Sequence, residues 1–222
     1  ASNHSKNVFI FTIKMTTMTS THTKKYIAQL SIILLLLPSL FNVVKAVDTN
    51  TFIDLSPSRL EYSAVRYLQQ NHIIQGTSAN SFSPDQTVTR VEFLKITLLA
   101  AKADFSNTPL KPLPFKDIDQ AAWYTPYLSY AFAQNIITGY ADNTIHPDRT
   151  ITKAEAEKIL EGVFQIPRAT SFSSLNGIKD IPKDSWYAAT SASFIEKNLD
   201  PLAGNQKKPS TAMTRVEAAE MV

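Results

Sequence analysis

From Phe52 onward the apolar and polar positions return in blocks. Phe52-Ile53-Asp54-Leu55, Phe115-Lys116-Asp117-Ile118 and Ile178-Lys179-Asp180-Ile181 share one pattern, and their aspartates are spaced by 63 and 63 residues. Six residues beyond each aspartate stand Leu60, Trp123 and Trp186; fourteen beyond stand Leu68, Ala131 and Phe194. The two offsets share one helical face, so they predict a buried stripe on a first helix in each copy.

A second landmark follows in register. Thr89-Arg90-Val91-Glu92, Thr152-Lys153-Ala154-Glu155 and Thr214-Arg215-Val216-Glu217 each follow a proline (Pro84, Pro147, Pro209) by five residues. Threonine with glutamate three residues later is the capping box that opens a helix. Between the landmarks, Gly76 and Gly139 each lie 22 residues after their aspartate. Glycine there predicts a backbone of positive φ at the end of the first helix. The third copy has Leu202 at that place and a loop one residue shorter, so Gly204 is its candidate for the turn.

Each copy therefore reads as helix, loop, helix, and one copy alone buries too little surface to fold. The prediction is an all-α protein of three repeats, at 52–103, 115–165 and 177–222, joined by proline-containing polar linkers at 102–114 and 165–176.

Between the threonine and glutamate of each box sits a cation: Arg90, Lys153 or Arg215. The helix dipole disfavours positive charge there by roughly 0.3–1 kcal/mol. One reading is an anion site built from that cation and free helix amides. The other is a solvated side chain, or a salt bridge to the repeat's leading aspartate.

Charge and composition narrow the function. The chain has 22 basic and 19 acidic side chains, but residues 1–46 hold five lysines and no acid. Without them 17 basic face 19 acidic groups, a poor surface for nucleic acid. There is no cysteine, and only His72 and His146 lie outside residues 1–46, so no metal or other cofactor is expected. Asp142-Asn143-Thr144 lacks the alternating ligands of a calcium loop. No phosphate loop, nucleophile triad or metal-ligand cluster is present, so no catalysis is expected.

Lys24-Lys25, the apolar run from Leu30 to Leu37, Pro38 and then Val44-Lys45-Ala46 follow the order of a secretory signal peptide, with cleavage expected after Ala46. The apolar run is shorter than the roughly 20 residues that span a bilayer, so contact with a membrane is expected only through this leader if it stays uncleaved. Met15 and Met18 are candidate starts, and the helix that stops at Val222 is continued in its sister repeats, which predicts a fragment.

Together these residues resemble the S-layer homology family. Its repeats open with Phe-x-Asp, carry an early Trp, pass through a Gly-Tyr-x-Asp-Gly-x-Phe-x-Pro loop and start a second helix with Thr-Arg-Ala-Glu. The second repeat matches best, with Phe115-Lys116-Asp117, Trp123, Gly139-Tyr140-Ala141-Asp142, Pro147 and Thr152-Lys153-Ala154-Glu155. The first has Leu60 for the Trp and Thr77 for the Tyr, and the third has a diverged loop. The resemblance implies a pseudo-threefold bundle with grooves between repeats, and non-catalytic anchoring at the cell surface through a secondary cell-wall polysaccharide, often one ending in a pyruvate ketal. It implies Arg90 and Lys153, with Arg215 in the third copy, as carboxylate partners. Asp54, Asp117 and Asp180 would accept from sugar hydroxyls. Gly76 and Gly139 would give backbone access, and Trp123, Trp186 and Tyr140 would pack on a sugar face. For the tryptophans, packing in the core is the other reading. The first two repeats are expected to carry the binding. The rival functions are the anchor part of a longer exported enzyme and a protein-binding helical repeat.

Overall fold

The computed structural model describes residues 52–105, 112–201 and 205–222. The signal peptide, the candidate starts and the Leu202–Gly204 turn lie outside them. Six α-helices are found among the described residues: α1 (Tyr62–Gln70), α2 (Arg90–Ala100), α3 (Thr125–Ala133), α4 (Lys153–Val163), α5 (Ala188–Glu196) and α6 (Arg215–Met221). A 3-10 turn, Ser173–Leu175, precedes α5. The described residues contain no β-strand, only three isolated bridges, which bears out the all-α class.

The three boxes behave as capping boxes: Thr89, Thr152 and Thr214 accept from the amides of Glu92, Glu155 and Glu217, whose carboxylates accept from the threonine amides. The expected free amides do not exist. The amide of Arg90 donates to the Arg149 carbonyl, that of Lys153 to Thr211 and that of Arg215 to Gln86. The next amides, of Val91, Ala154 and Val216, donate to the carbonyls of Pro147, Pro209 and Pro84. All four early donors of each second helix are therefore satisfied, two by its own box and two by a neighbouring repeat.

Just upstream, the same three loops close a ring. The Val88 amide donates to Met213, the Met213 amide to Ile151 and the Ile151 amide to Val88, at 3.0, 3.0 and 3.1 Å. Val88, Ile151 and Met213 are wholly buried, so this cycle of backbone bonds lies inside the core where the three second helices begin.

Packing does not follow the repeats. Each first helix lies against the second helix of the preceding copy: α3 on α2, α5 on α4, and α1 on α6. Phe52, Val65, Leu68 and Phe82 of the first copy accordingly share a core cluster with Val216 and Ala219 of the third.

Two expectations change. The first helices begin eight residues after the aspartate, behind i-to-i+3 turns such as Tyr62 amide to Arg59 and Thr125 amide to Ala122. Those turns swing the sixth residue outward. Leu60, Trp123 and Trp186 are 91%, 54% and 61% exposed, whereas Leu68, Ala131 and Phe194 are buried; the stripe holds at one end only, and the tryptophans are not core residues. Nor does glycine end the first helix. His72, Asn135 and Asn198 take the positive φ there, at 58°, 56° and 54°, and the following amides reach back to Leu68, Ala131 and Phe194 in the Schellman pattern. Gly139, four residues later, does have φ +74°, but Gly76 does not have positive φ; a Cβ on it would lie 2.5 Å from the carbonyls of Ser78 and Ser81 and 2.6 Å from the Phe52 ring. The glycines make room for the leading aromatic and the loop carbonyls.

The ring gives a test. The amides of Val88, Ile151 and Met213 are expected to exchange hydrogen only through global unfolding. Thr152→Ala, which removes one cap, is expected to lower stability by about 1 kcal/mol and to reduce the protection of all three amides equally, including the two outside its own repeat. Exchange measured by NMR checks this; loss confined to Ile151 would show that the ring does not act as one unit.

Candidate functional site

The leading aspartates are loop clamps. Asp54 accepts from the amides of Phe82 and Ser83, both at 2.8 Å; Asp117 from Ile145 and His146; Asp180 from Lys207 and Lys208 at 2.9 and 2.7 Å. These bonds hold each loop over the start of its own repeat. Asp54, Asp117 and Asp180, read from the sequence as acceptors for sugar hydroxyls, hold loop backbone with their carboxylate oxygens in this structure.

The interleaved packing mixes the repeats within each groove. A groove of about 440 Å³ is lined by Arg90 of the first copy, the loop of the second through Gly139 and Tyr140, Glu155 and Lys158 on α4, and Trp186 of the third. A second, of about 230 Å³, repeats the scheme one step round: Arg215, the loop His72–Gly76, Glu92 and Lys95 on α2, and Trp123. The third position, with Lys153, Asp200, Pro201, Glu217 and Glu220, has only about 20 Å³. Nine of the eleven residues singled out in the sequence line an open groove or clamp its loop, and each open groove draws on all three copies. Lys153 and Asp180, the exceptions, belong to the closed position.

The three cations also differ, and none bonds the leading aspartate of its repeat. Each faces the box glutamate of the next repeat. Lys153 Nζ, read from the sequence as a partner for a ligand carboxylate, is 2.7 Å from Glu217 Oε1, a pair that occupies the closed position. Arg215 donates through Nε to the Phe82 carbonyl (2.7 Å) and through Nη2 to Gln75 (2.6 Å), with its guanidinium 4.7 Å from the Phe82 ring centroid. It is a brace for the first repeat's loop more than a cation offered to a ligand.

Arg90 is held differently. Its guanidinium lies 5.6 Å from the Tyr140 ring centroid and 4.0 Å from Glu155, and its buried Nε has no hydrogen-bond partner. Glu155 is occupied instead by Arg149, which also donates to the Tyr140 hydroxyl. Burial pushes Glu155 upward, but the Thr152 amide, Arg149 and Tyr140 outweigh it and hold the carboxyl below its ordinary range. Burial likewise raises the Tyr140 phenol against the pull of Arg90. This groove is therefore lined by an arginine whose buried Nε lacks a partner, a neutral phenol and an exposed indole.

The sequence reading missed the residues six beyond each box threonine. Lys95 and Lys158 line the open grooves, and Lys95 Nζ sits 5.3 Å over the Trp123 ring. The third copy has Glu220 there, lining the closed position. That charge reversal was visible in the alignment of the copies. Lys207, at a place filled by Phe82 and Ile145 in the sister loops, pairs with Asp200 at 3.2 Å, so the third position is packed with ion pairs.

Among the described residues no group of three His, Cys, Asp or Glu could hold a metal ion, and no helix is long and apolar enough to cross a membrane.

Against known proteins, the family model described as S-layer homology domain matches residues 54–94 and 114–157. An endoglucanase of Bacillus sp. (strain KSM-635) is 24% identical over 87% of this chain and 21% of its own length. A cellulosome-anchoring protein of Acetivibrio thermocellus is 29% identical over 61% of this chain and 30% of its own. A surface-layer 125 kDa protein of Lysinibacillus sphaericus is 25% identical over 88% of this chain and 16% of its own. The chain thus spans less than a third of the length of these relatives.

Beside the closed position lies a buried acid. Glu157, on α4, accepts from Ser191 Oγ at 2.5 Å. Burial pushes its carboxyl up to about 7, with Asp200 adding to the rise and Ser191 and Lys207 opposing it. A folded value above the unfolded one stabilises the fold fully below the unfolded value of 4.5, and that stability is lost as pH rises to about 7. Glu157→Gln is expected to leave stability at pH 4 nearly unchanged and to raise it at pH 8, by up to about 3 kcal/mol from the size of the shift. Urea unfolding at the two pH values checks this.

Proposed function

The chain belongs to the S-layer homology family, whose domains are cell-surface anchoring modules, and from that premise we propose that its large groove binds an anionic cell-wall polysaccharide. The observation that carries the reading is Arg90: a guanidinium with an unpartnered Nε, lining an open groove opposite an indole that is 61% exposed. A carboxylate-bearing sugar answers both parts. Its anion takes the arginine's spare donors, and its apolar ring face lies on Trp186. A terminal pyruvate ketal supplies such a carboxylate. The smaller groove, with Lys95 over Trp123 and Arg215 turned to backbone, offers a weaker second site. The protein's place in this reading is outside the cell, attached to the wall after export.

The anchoring and surface-layer relatives support attachment as the role. The endoglucanase favours a second reading, in which these repeats are the wall-attachment part of a longer exported enzyme. Assaying the product of the complete gene for glucan hydrolysis separates the two readings and leaves the groove assignment untouched.

Residues 47–222 are expected to co-sediment with bacterial sacculi that carry their polysaccharide. Arg90→Ala should weaken binding about ten- to hundredfold, the scale of a charge-assisted hydrogen bond, and Trp186→Ala should also weaken it. Lys153→Ala should leave binding intact while lowering the melting temperature, since its partner is Glu217. Undiminished binding to sacculi stripped of the polymer would overturn the glycan assignment.

A further inference from the structure

Of the three equivalent helix contacts, one is built with acids. Five residues beyond the box threonine, α2 carries Leu94 and α6 carries Ala219, both buried; α4 carries Glu157 there, and it is buried too. Nine beyond, α2 has the buried Leu98 and α4 has Glu161. The first helices answer in kind. Eleven residues beyond the leading aspartate stand Val65 on α1 and Leu128 on α3, but Ser191 on α5; ten beyond, Tyr127 of α3 gives way to Thr190 of α5. Ser191 Oγ donates to Glu157 at 2.5 Å, and Thr190 Oγ1 donates to Glu161. The α4–α5 contact thus holds two carboxyl–hydroxyl bonds where the α2–α3 contact has leucines.

The two acids are not held alike. Burial raises Glu161, but Thr190, Lys158 and Arg168 outweigh it and keep the carboxyl below its ordinary range. Lys158 and Arg168 each reach it at 2.9 Å. Glu157 is held by a hydroxyl. Around it stand Lys153 of the same helix, Glu217 and Glu220 of α6, and Asp200 and Lys207 of the loop after α5; α5 faces it with Ser191. Lys153 is engaged by Glu217 and Lys207 by Asp200, so the nearby cations are already matched when Glu157 ionises. A charge in that position lacks solvation, and it regains water when α5 lifts from α4.

The same contact reaches the large groove from both sides. Trp186 lines that groove and stands two residues before α5, its indole edge-on to Tyr187 with centroids 5.3 Å apart. Lys158 lines it from α4 and is the residue bonded to Glu161. The seating of α5 on α4 therefore sets how far the indole stands from the α4 wall.

We propose that the α4–α5 contact is a pH-operated latch on the large groove: it holds Trp186 in place while Glu157 is protonated and lets α5 lift as Glu157 ionises, so that an anionic glycan is retained in acid and released as the medium turns alkaline. The helix movement stands on the contact alone; the ligand half rests on the groove assignment made above. Local opening of one helix pair, with the rest of the domain intact, is the motion required.

Amide exchange of α5, corrected for the intrinsic effect of pH, tests the latch without any ligand. The Glu157 carboxyl lies at about 7 in the fold against 4.5 unfolded, so opening of α5 is expected to rise roughly fifty- to hundredfold from pH 5 to pH 8, while α3 shows no such rise. Glu157→Gln should abolish the rise. Should that variant fail to fold, Glu157→Leu combined with Ser191→Leu, the side chains of the α2–α3 contact, should do the same. Equal α5 protection at the two pH values, or a rise that survives in the variants, would overturn the latch. The ligand half is read by co-sedimentation with polysaccharide-bearing sacculi: the unaltered chain should be retained less at pH 8 than at pH 5, and Glu157→Gln equally at both. Equal loss of retention in the two proteins would overturn regulation through Glu157. Failure to sediment at either pH, with α5 exchange still pH-dependent, would support the latch and count against the groove assignment alone.

Discussion

Everything in this fold is referred to the backbone cycle of Val88, Ile151 and Met213. A helix start has amides that need acceptors, and three helix starts brought together in a core cannot use water. Each copy solves the problem for its neighbour by offering two carbonyls, from Arg149 and Pro147, Thr211 and Pro209, or Gln86 and Pro84. The recurrent proline lies at the end of this handshake. It contributes a carbonyl to the adjacent helix, and its own missing N–H is no loss there.

That solution decides what the cations can do. With the helix amides already bonded, the dipole offers nothing to an external anion, and an anion site has to come from side chains alone. The capping glutamates are then both structural and electrostatic. Glu217 neutralises Lys153, whereas Glu155 is taken up by Arg149 and leaves Arg90 Nε without a partner. One exposed residue, Arg149, thus separates a closed ion pair from an open binding groove. Gln86 and Thr211 stand at its place in the sister loops, which explains why three near-identical boxes yield three different grooves.

The sequence carried the period, the boxes, the helical class and most of the residues around the grooves. All of these rest on local rules: Thr at a cap needs Glu three residues on, and buried positions return at helical spacing. What it did not carry was which copy meets which. Arg90 is adjacent in sequence to its own box, yet its neighbours Tyr140, Glu155 and Trp186 come from the other two copies, because packing pairs each first helix with the preceding second helix. Residues at the edge of an element were also misread. Leu60, Trp123 and Trp186 fall two residues before helices that a periodicity argument would extend over them. The left-handed turns at His72, Asn135 and Asn198 carry no glycine to announce them.

The α1–α6 contact is the same interface as α2–α3 and α4–α5, with one difference: no linker joins its two helices in sequence. In terms of chain entropy, that contact must close a loop of about 150 residues, and loop closure of that length is a long-range event that local pairs do not face. The domain is therefore a clasp. Helices α1 and α6 form the catch, the two linked hairpins form the hinges, and a force that draws those two helices apart bears on the catch before the hinges.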